Sequence, residues 1–388
     1  MTNSKPKMAI YGGSFDPVHK GHIDIIKNLC DCFDKVILVL AFVSPFKKIE
    51  ETAPFDIRLK MLKGAVLEAI ECKKSKEKIE ICTYEIDKKT TSYTIDTVDF
   101  LIKKHPDFDP FLVVGADNLA GLNRWKSIGE LTKKVTFFIV PRPLFKTQMP
   151  IGTKSSLAPF DGLSVSSSLL KASVAFLDYD CDKIDDLFLP SIKKIILKEG
   201  LYPFYQTAGK IFKNLGFKMQ RIDHILGVIK YAAMLANIFD TDQAKAVLAA
   251  LLHDIAKYTT LFQIKDTNLK LDKSIFDLPS PVQHAFIGAE AAKQLLKIND
   301  DDILNSIKYH TTARANMSIL EKVVALSDYC EEGRIGDEYE IVRSLSVQNL
   351  DKAMAKMLEF KIKKLKQKNA VPHSLTIEAY EHYSIHLT

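Results

Sequence analysis

Two groups of residues in this chain have types and spacings suited to phosphate chemistry. The first lies between Gly12 and His22, where adjacent glycines are followed by histidines at positions 19 and 22. Glycines let the main chain approach a ligand closely, and a helix beginning near Gly21 would point its unpaired N–H groups at the same place. Histidines three residues apart at a helix start can reach one phosphate. The pattern predicts a site that stabilises charge on a reacting phosphoryl group, with no covalent nucleophile required.

The second group consists of histidines and aspartates spread over the second half of the chain. His253 and Asp254 are adjacent in an apolar stretch, where burying two polar side chains is costly unless something satisfies them. A divalent metal does so, because it binds both imidazole nitrogen and carboxylate oxygen. Six residues form the predicted metal site: His224, His253, Asp254, His284, His310 and Asp328.

The number and type of these ligands bear on the metal itself. Four ligands hold one metal, and the two further histidines would allow a second, so that both could clamp the attacking and leaving oxygens of a phosphoanhydride. Carboxylates combined with several imidazoles suit iron or manganese better than calcium, and zinc is not excluded. We therefore expect two divalent metals, iron or manganese.

Alternating strands and helices must position the first group. Apolar runs at 8–11, 36–43, 111–114 and 135–140 predict buried parallel strands, and helical spacing lies between them at 21–33, 56–70 and 94–104. This alternation predicts an α/β, Rossmann-like doubly wound sheet. Ligands of such sheets bind at the carboxyl ends of the strands, which is where the segment from Gly12 to His22 lies.

Helices alone must position the second group. From residue 214 onward almost only helical periodicity is found, for example at 222–239 and 241–257, and residues 261–281 predict a loop with a short helix. A basic stretch at 351–368 predicts a packed terminal helix with a solvated face rather than a membrane-binding one. We expect an α/β domain at 1–202 and an all-α domain at 203–388.

Composition narrows the function classes. A chain of 388 residues with 47% hydrophobic and 26% charged residues can bury two cores. Its net charge of +6 suits anionic substrates but is too small for a dedicated nucleic-acid binder. The six cysteines show no paired metal-ligand spacing, and the longest dense apolar run is too short to span a bilayer. We expect a cytoplasmic protein with reduced thiols; a homo-oligomer is left open.

The first group resembles a known signature. The ten residues from Gly13 to His22 are similar to the G-x-F-x-P-x-H-x-G-H signature of the nucleotidyltransferase superfamily. Further segments resemble bacterial nicotinate-nucleotide adenylyltransferases over residues 7–202: a basic loop at 44–48, R-L-x-M-L within 56–62, S-Y-T-x-D-T at 92–97 and G-x-D at 115–117 followed by Leu122 and Trp125. Residues 165–171 resemble the family's I-S-S-T-x-I-R, with Lys171 where arginine is expected, which keeps the charge but loses the bidentate fork.

This resemblance implies attack by the phosphate of nicotinate mononucleotide on the α-phosphorus of ATP, with pyrophosphate leaving as a Mg²⁺ complex. It implies charge neutralisation during catalysis by His19, His22, Lys47 and Lys171. It implies ATP binding by Gly12, Gly13, Ser14, Phe15, Ser166, Ser167 and Ser168, and mononucleotide binding by Arg58, Tyr93, Thr94, Asp117 and Trp125. An ordinary core role for Trp125 stays open, as do phosphopantetheine and nicotinamide mononucleotide as acceptors.

The second group resembles the HD superfamily, whose ligands have this order and these types. The segments around His284, Tyr309 and Ser327, together with residues 375–379, are similar to HD hydrolases that cleave diadenosine tetraphosphate symmetrically to two ADP. That likeness implies polyphosphate contacts for Lys257, Arg314 and Arg334, with plain surface charge as the alternative. The sequence departs from the family at Ala313, where glycine is usual, and near residues 332–333, where proline is usual. A nucleotide sensor or a hydrolase of another nucleotide remains an alternative.

Overall fold

The computed structural model describes residues 5–42, 52–87, 93–142, 147, 152–163, 165–179, 184, 186–258 and 269–387. The chain divides into two compact units. The first comprises Met1–Leu170 and Asp182–Tyr202, and the second comprises Lys171–Cys181 and Pro203–Thr388. One limit falls after residue 202, at the expected domain boundary, whereas residues 171–181 group with the second unit.

The first unit is built on a six-stranded parallel sheet. Its strands are β1 (Lys7–Gly13), β2 (Lys35–Leu40), β3 (Ile79–Cys82), β4 (Asp109–Gly115), β5 (Thr136–Val140) and β6 (Ser155–Leu157), in the spatial order β3-β2-β1-β4-β5-β6. The order reverses direction between β1 and β4, which is where open α/β sheets bind ligands. The predicted fold class is confirmed for this half of the chain.

Helices connect these strands. They are α1 (Lys20–Cys32), α2 (Phe55–Ala69), α3 (Lys73–Lys78), α4 (Tyr84–Asp87), α5 (Thr94–Lys104), a 3-10 helix (Ala116–Arg124), α6 (Ile128–Lys134), α7 (Ser167–Ser173) and α8 (Pro190–Lys198). Alternate side chains of β1 and β4 pack with α5 into one apolar core that includes Met8, Ile10, Leu112 and Val98. This core fixes the strand ends that carry the first site.

The sheet is larger than the sequence pattern predicts. Strands β3 and β6 were not predicted, because the first has only four residues, one of them charged, and the second is short and exposed. Strand β2 ends at Leu40, earlier than the predicted residue 43, which lies outside the described residues. Both unpredicted strands lie at edges of the sheet, where hydrophobic alternation is weakest.

The second unit is helical. Its helices are α9 (Pro203–Asn214), α10 (Met219–Ile238), α11 (Gln243–Leu252), α12 (Ser280–Leu295), α13 (Asp301–Tyr309), α14 (Ile319–Cys330), α15 (Asp337–Ser346), α16 (Leu350–Gln367) and α17 (Ser374–Ser384), with short 3-10 helices at Val174–Phe176, Lys273–Asp277 and Ile385–Leu387. Helix α14 packs against α10, α11, α13 and α16 and is largely buried. No helix in the described parts of the chain is long and apolar enough to cross a membrane.

One helix boundary differs from the prediction in a way that matters for the second site. The predicted helix 241–257 ends at Leu252, and His253 and Asp254 follow in a turn. The 3-10 helix Lys273–Asp277 agrees with a short helix in the predicted loop, of which residues 261–268 lie outside the described residues. The turn directs the paired side chains inward from a helix end rather than from a helix face.

The contact between Gly209 and Ala175 generates a stability prediction. A Cβ atom added to Gly209, on α9, would lie 2.0 Å from the main-chain oxygen of Ala175. Because a main-chain atom cannot move aside cheaply, Gly209→Ala should destabilise the second unit by about 1–3 kcal/mol in urea unfolding. Lys210→Ala, which places alanine at the next and exposed position, is the control. Equal unfolding midpoints for the two variants would contradict this packing.

A second prediction concerns Glu80 on β3, whose carboxylate lies 2.8 Å from Lys35 Nζ and 2.7 Å from Lys104 Nζ. Burial alone would raise the pKa of Glu80, but hydrogen bonds from these lysines lower it from 4.5 to about 2. The stabilisation is therefore present above pH 4.5 and is lost as the pH falls towards 2. Glu80→Gln should lower the thermal midpoint at pH 7, and its deficit should shrink over that interval. The exposed Glu77→Gln is the control; a deficit independent of pH would refute the assignment.

Candidate active sites

The first candidate site begins where β1 ends. Among the described residues, no atom other than those of its chain neighbours lies within 4 Å of a Cβ atom added to Gly12, which is an exposed position. A Cβ added to Gly13 would lie 3.3 Å from the ring of Phe15, which is fully buried and has a positive φ of 45°. The segment thus exposes its backbone at Gly12 and turns over a buried aromatic anchor, as a ligand cradle requires.

His19 and His22 cap helix α1 reciprocally. The main-chain N–H of His22 donates to Nδ1 of His19, and the N–H of His19 donates to Nδ1 of His22, both at 3.2 Å. The rings stack with their centroids 3.5 Å apart. Since each Nδ1 accepts a hydrogen bond, each ring carries its proton on Nε2. The two imidazoles are therefore neutral hydrogen-bond donors at a helix N-terminus, a geometry suited to phosphate oxygens.

Arg58 is placed differently from the expectation that it lines the mononucleotide pocket. It is 2% exposed, and its guanidinium donates four hydrogen bonds of 2.7–2.9 Å to the carbonyl oxygens of Ser14, Ala41, Phe42 and Ala53. These bonds occupy the planar fork that would otherwise bind a carboxylate or phosphate. Arg58 thus joins the segments that follow β1 and β2, which supports a loop-positioning role, and its contact with the mononucleotide stays a prediction.

Asp16 is a positioning residue that sequence reasoning did not single out. Its Oδ1 accepts hydrogen bonds from Ala53 N at 3.1 Å and from the hydroxyl of Tyr202 at 2.8 Å, and the residue is fully buried. Its place inside the ten-residue signature was the available signal. Asp16 and Arg58 hold the loop around Ala53 from both sides, so the cradle is supported by buried polar contacts.

The residues expected to bind the mononucleotide lie after β4 and at the start of α5. Tyr93 immediately precedes helix α5, which begins at Thr94, and its ring lies 4.1 Å from Lys126 Nζ. Asp117 lies in the 3-10 helix after β4 and pairs with Arg142 at 3.4 Å. Trp125 is partly buried and packs against the core of the sheet. This packing supports the core role for Trp125, and its stacking on a pyridine ring stays a prediction.

The serines expected to face ATP surround the start of α7. Ser166 Oγ accepts from the N–H of Leu169 at 3.2 Å, and Ser167 Oγ donates to the carbonyl oxygen of Pro17 at 3.2 Å. The second bond ties the helix start to the cradle. Ser168 and Lys171 lie on α7, and Lys47 falls outside the described residues.

The second candidate site gathers six side chains from five helices of the second unit. His224 lies on α10, His284 on α12 and Asp328 on α14, whereas His253 and Asp254 follow α11 and His310 follows α13. His253 is fully buried, and Asp254, His284 and His310 are at most 6% exposed. All six of the predicted metal ligands thus belong to one buried cluster.

Asp254 lies at the centre of this cluster, and its two oxygens face different histidines. Oδ1 lies 3.1 Å from Nε2 of His284 and 3.7 Å from Nε2 of His310. Oδ2 lies 3.5 Å from Nε2 of His253 and 3.9 Å from Nε2 of His224. Ligand atoms that each lie about 2.1 Å from a common ion are about 3–4 Å apart. Asp254 therefore belongs to two ligand groups at once.

Asp328 completes the first of these groups. Its Oδ1 lies 3.2 Å from Nε2 of His224 and 3.9 Å from Nε2 of His253. The first group is then His224, His253, Asp254 and Asp328, and the second is Asp254, His284 and His310. The imidazole and carboxylate donors of each group suit a divalent cation.

The atoms that face inward lack partners in a manner that a metal would resolve. Within the described residues, Nε2 of His224, Nε2 of His253 and Oδ1 of Asp254 are buried and have no hydrogen-bond partner. An unsatisfied buried polar atom is costly, so their convergence supports a bound cation. The donor chemistry of the cluster therefore fits a divalent metal site.

The opposite nitrogen of each ring sets its tautomer. Nδ1 of His253 lies 2.6 Å from the carbonyl oxygen of Ala250, and Nδ1 of His310 lies 2.7 Å from that of Ile307. A carbonyl only accepts, so the proton lies on Nδ1 and the Nε2 lone pair points into the cluster, as metal ligation requires. Burial lowers the pKa of His310 to about 3, which keeps this ring neutral.

Glu331 and Arg221 contact the ligands and were missed from sequence. Glu331 Oε1 lies 3.2 Å from Nδ1 of His224 and its Oε2 accepts from the N–H of Gly333, while Arg221 Nη1 lies 2.6 Å from Asp254 Oδ2. Each lies three residues from a predicted ligand, His224 or Asp328, and that spacing was the available signal. Glu331 thus contacts a predicted ligand histidine and Arg221 contacts a predicted ligand aspartate, as the supporting residues of metal sites do.

The three expected polyphosphate contacts separate into two kinds. Lys257 Nζ lies 3.2 Å from His284 Nε2, and Arg334 Nη2 lies 3.3 Å from Asp328 Oδ1, so both cations border the cluster. Arg314 instead forms two 2.7 Å hydrogen bonds with the buried carboxylate of Glu321. This pair supports a structural role for Arg314, and its contact with a polyphosphate stays a prediction.

Family comparisons follow the division into two halves. The cytidylyltransferase-like family matches residues 10–172, and the HD-domain family matches residues 221–333. A Halalkalibacterium halodurans protein named "Probable nicotinate-nucleotide adenylyltransferase" is 34% identical over 199 residues, which is 50% of this chain and 91% of that protein.

Two further relatives concern the helical half and the whole chain. The protein of the same organism named "Bis(5'-nucleosyl)-tetraphosphatase, symmetrical" is 35% identical over 162 residues, 41% of this chain and 87% of that protein. A Mycoplasma genitalium protein named "Probable nicotinate-nucleotide adenylyltransferase/Ap4A hydrolase" is 27% identical over 338 residues, 86% of this chain and 90% of that protein. The chain therefore belongs to the nicotinate-nucleotide adenylyltransferase family through its first half and to the HD-domain symmetrical bis(5'-nucleosyl)-tetraphosphatases through its second.

Proposed function

We propose that this chain is a bifunctional enzyme. The first unit transfers the adenylyl group of ATP to nicotinate mononucleotide, giving deamido-NAD and pyrophosphate. The second unit hydrolyses diadenosine tetraphosphate to two ADP at a pair of divalent metals. The observation that carries the first assignment is the reciprocal cap of His19 and His22 beside Gly12. The observation that carries the second is the carboxylate of Asp254 shared by two ligand groups.

In the first site, the chain's own groups position reactants and neutralise charge. The phosphate of the mononucleotide attacks the α-phosphorus of ATP in line, and pyrophosphate leaves with Mg²⁺. His19 and His22 donate from Nε2 to phosphate oxygens. They can do so because each Nδ1 accepts a main-chain hydrogen bond, which leaves the ring proton on Nε2. Lys47 and Lys171 add positive charge in this proposal.

Substrate contacts in the first site are assigned as follows. ATP binds along Gly12, Gly13, Ser14 and Phe15 and at the serines that begin α7, Ser166, Ser167 and Ser168. The mononucleotide binds near Tyr93, Thr94, Asp117 and Trp125. Asp117 follows the end of β4, where ligands of such sheets bind, and Tyr93 precedes α5, which packs in the same core as β4; both positions support this assignment.

The acceptor can be tested directly. Purified protein with ATP and Mg²⁺ is offered nicotinate mononucleotide, nicotinamide mononucleotide or phosphopantetheine, and pyrophosphate release is measured. We expect turnover with the nicotinate compound to exceed the other two. Preferential turnover of phosphopantetheine would reverse the assignment.

In the second site, four imidazoles and two carboxylates suit iron or manganese. Such cations, when bound, polarise phosphoryl oxygens and activate water. Lys257 and Arg334 border the cluster and neutralise the polyphosphate chain in this proposal. The complete ligand set supports hydrolysis over a purely sensory role. Absence of both bound metal and hydrolysis after reconstitution with iron or manganese would favour a sensor.

Paired substitutions test the independence of the two sites. His22→Ala removes one phosphate donor and should reduce dinucleotide synthesis by about 10²–10³-fold, while hydrolysis continues. Asp254→Ala removes the shared carboxylate and should abolish hydrolysis and metal retention, while synthesis continues. Synthesis is measured by pyrophosphate release and hydrolysis by ADP formation. Each variant serves as the folding control for the other, and loss of both activities in either one would contradict the assignment.

Glu331 offers a sharper test of the metal site, because it touches a ligand but would not touch the metal. Glu331→Gln removes the negative charge beside His224 Nδ1 and should weaken metal affinity or activity by about 10–100-fold. Glu332→Gln is the matched control, since this neighbour is 70% exposed and its carboxylate pairs with Lys230. Metal content and the manganese concentration for half-maximal hydrolysis are the measurements. Equal values for the two variants would show that Glu331 does not orient His224.

A further inference from the structure

Lys361 lies on helix α16, beyond the residues that match the HD-domain family. Its partly buried ε-amine donates to the main-chain oxygen of Thr311 at 3.4 Å and lies 5.7 Å from the centroid of the Tyr329 ring. Thr311 directly follows the ligand His310, and Tyr329 directly follows the ligand Asp328. The amine therefore reaches from a separate helix to the chain neighbours of one ligand from each metal group.

Among the described residues, the Lys361 amine has no direct carboxylate partner, unlike Lys356 and Lys364 of the same helix. Lys356 lies 2.9 Å from Glu359 and Lys364 lies 3.2 Å from Glu338. No carboxylate oxygen of the described residues lies within 4 Å of Lys361 Nζ. Lys361 is therefore held by no direct ion pair within the described residues, and its positive charge is available to an anionic ligand.

The surroundings of Lys361 connect it to the second site. Thr311 Oγ1 lies 3.0 Å from Nε2 of His310 and 3.4 Å from Nε2 of His284. Burial lowers the pKa of Lys361, Asp328 opposes this effect, and the positive charges of Arg334 and Lys257 reinforce it. The three cations thus lie within electrostatic range of one another around one cluster, a repulsive arrangement that a bound polyanion relieves.

We propose that Lys361 is a substrate-binding residue of the second site, where it contacts phosphate oxygens of a polyphosphate held at the ligand cluster. The proposal rests on the hydrolase function assigned above and adds a residue to it. Lys257 borders the group of His284, Arg334 borders Asp328, and Lys361 supplies the third positive charge from α16. A linear polyphosphate, with several charged phosphates in a row, can use three separated cations where a single phosphate cannot.

The test uses the full-length, manganese-loaded protein and the variant Lys361→Met, which keeps the length of the side chain and removes its charge. Inorganic tripolyphosphate binding is measured by calorimetry, and KM and kcat are measured with diadenosine tetraphosphate. We expect tripolyphosphate affinity to fall and KM to rise by about tenfold or more, with kcat within about twofold, because a charge-assisted contact is lost before and during reaction alike. Lys361→Arg should recover most of the affinity.

Lys363→Met is the matched control, because Lys363 is an exposed lysine on the same helix. It should leave affinity and KM unchanged. Lys361→Met should also leave the thermal midpoint unchanged or raise it, since it removes a buried charge; a lowered midpoint with equal impairment in Lys361→Arg would identify a structural role and overturn the proposal. Unchanged tripolyphosphate affinity in Lys361→Met would also overturn it. If the wild type binds tripolyphosphate through Lys361 but does not hydrolyse diadenosine tetraphosphate, the hydrolase function is refuted. The assignment of Lys361 as a polyphosphate-binding residue then stands.

Discussion

The hydrogen bonds at Nδ1 of four histidines, His19, His22, His253 and His310, are the constraint on which both candidate sites depend. In the first unit, Nδ1 of His19 and of His22 accepts from the main chain, so Nε2 carries the proton. In the second, Nδ1 of His253 and of His310 faces a carbonyl oxygen, so Nε2 offers a lone pair. The same type of side chain is thus set to donate a proton from Nε2 in one unit and to offer a lone pair from Nε2 in the other. Backbone geometry, which side-chain composition does not display, makes this choice.

Much of the architecture follows from local pattern. Apolar runs of four to eight residues predicted β1, β2, β4 and β5, and the ligand types predicted the cluster around Asp254, because burial of His253 and Asp254 is tolerable only with a partner. The sequence pattern does not predict the edge strands β3 and β6, because edge strands lack a continuous apolar signal. The sequence pattern does not predict that α11 ends before His253, because the apolar residues continue into the turn.

Cations were the least predictable feature. Arg58, Arg314 and Lys361 all carry a positive charge that could bind phosphate. Arg58, however, donates to carbonyl oxygens, and Arg314 donates to a carboxylate. The partner of a long side chain is set by tertiary contacts between residues far apart in sequence, such as Arg58 with Ser14.

Ala313 departs from the family that the second group resembles, in which glycine is usual at this position. It adopts a φ of 58°, a conformation that glycine takes without strain. A departure from a family motif thus marked a backbone requirement and left the ligands in place.

The membership of residues 171–181 in the helical unit has a practical consequence for anyone who would separate the two halves. Phe176, in this segment, stacks on Phe212 of α9 with ring centroids 5.5 Å apart, and Ala175 abuts Gly209. Truncation of the chain after residue 202 would remove these packing partners from the helical half. It would leave their apolar side chains on the other fragment. The two units are discontinuous in sequence, because each contains two separate segments of the chain. Expressing residues 1–202 and 203–388 separately would therefore not yield two intact units.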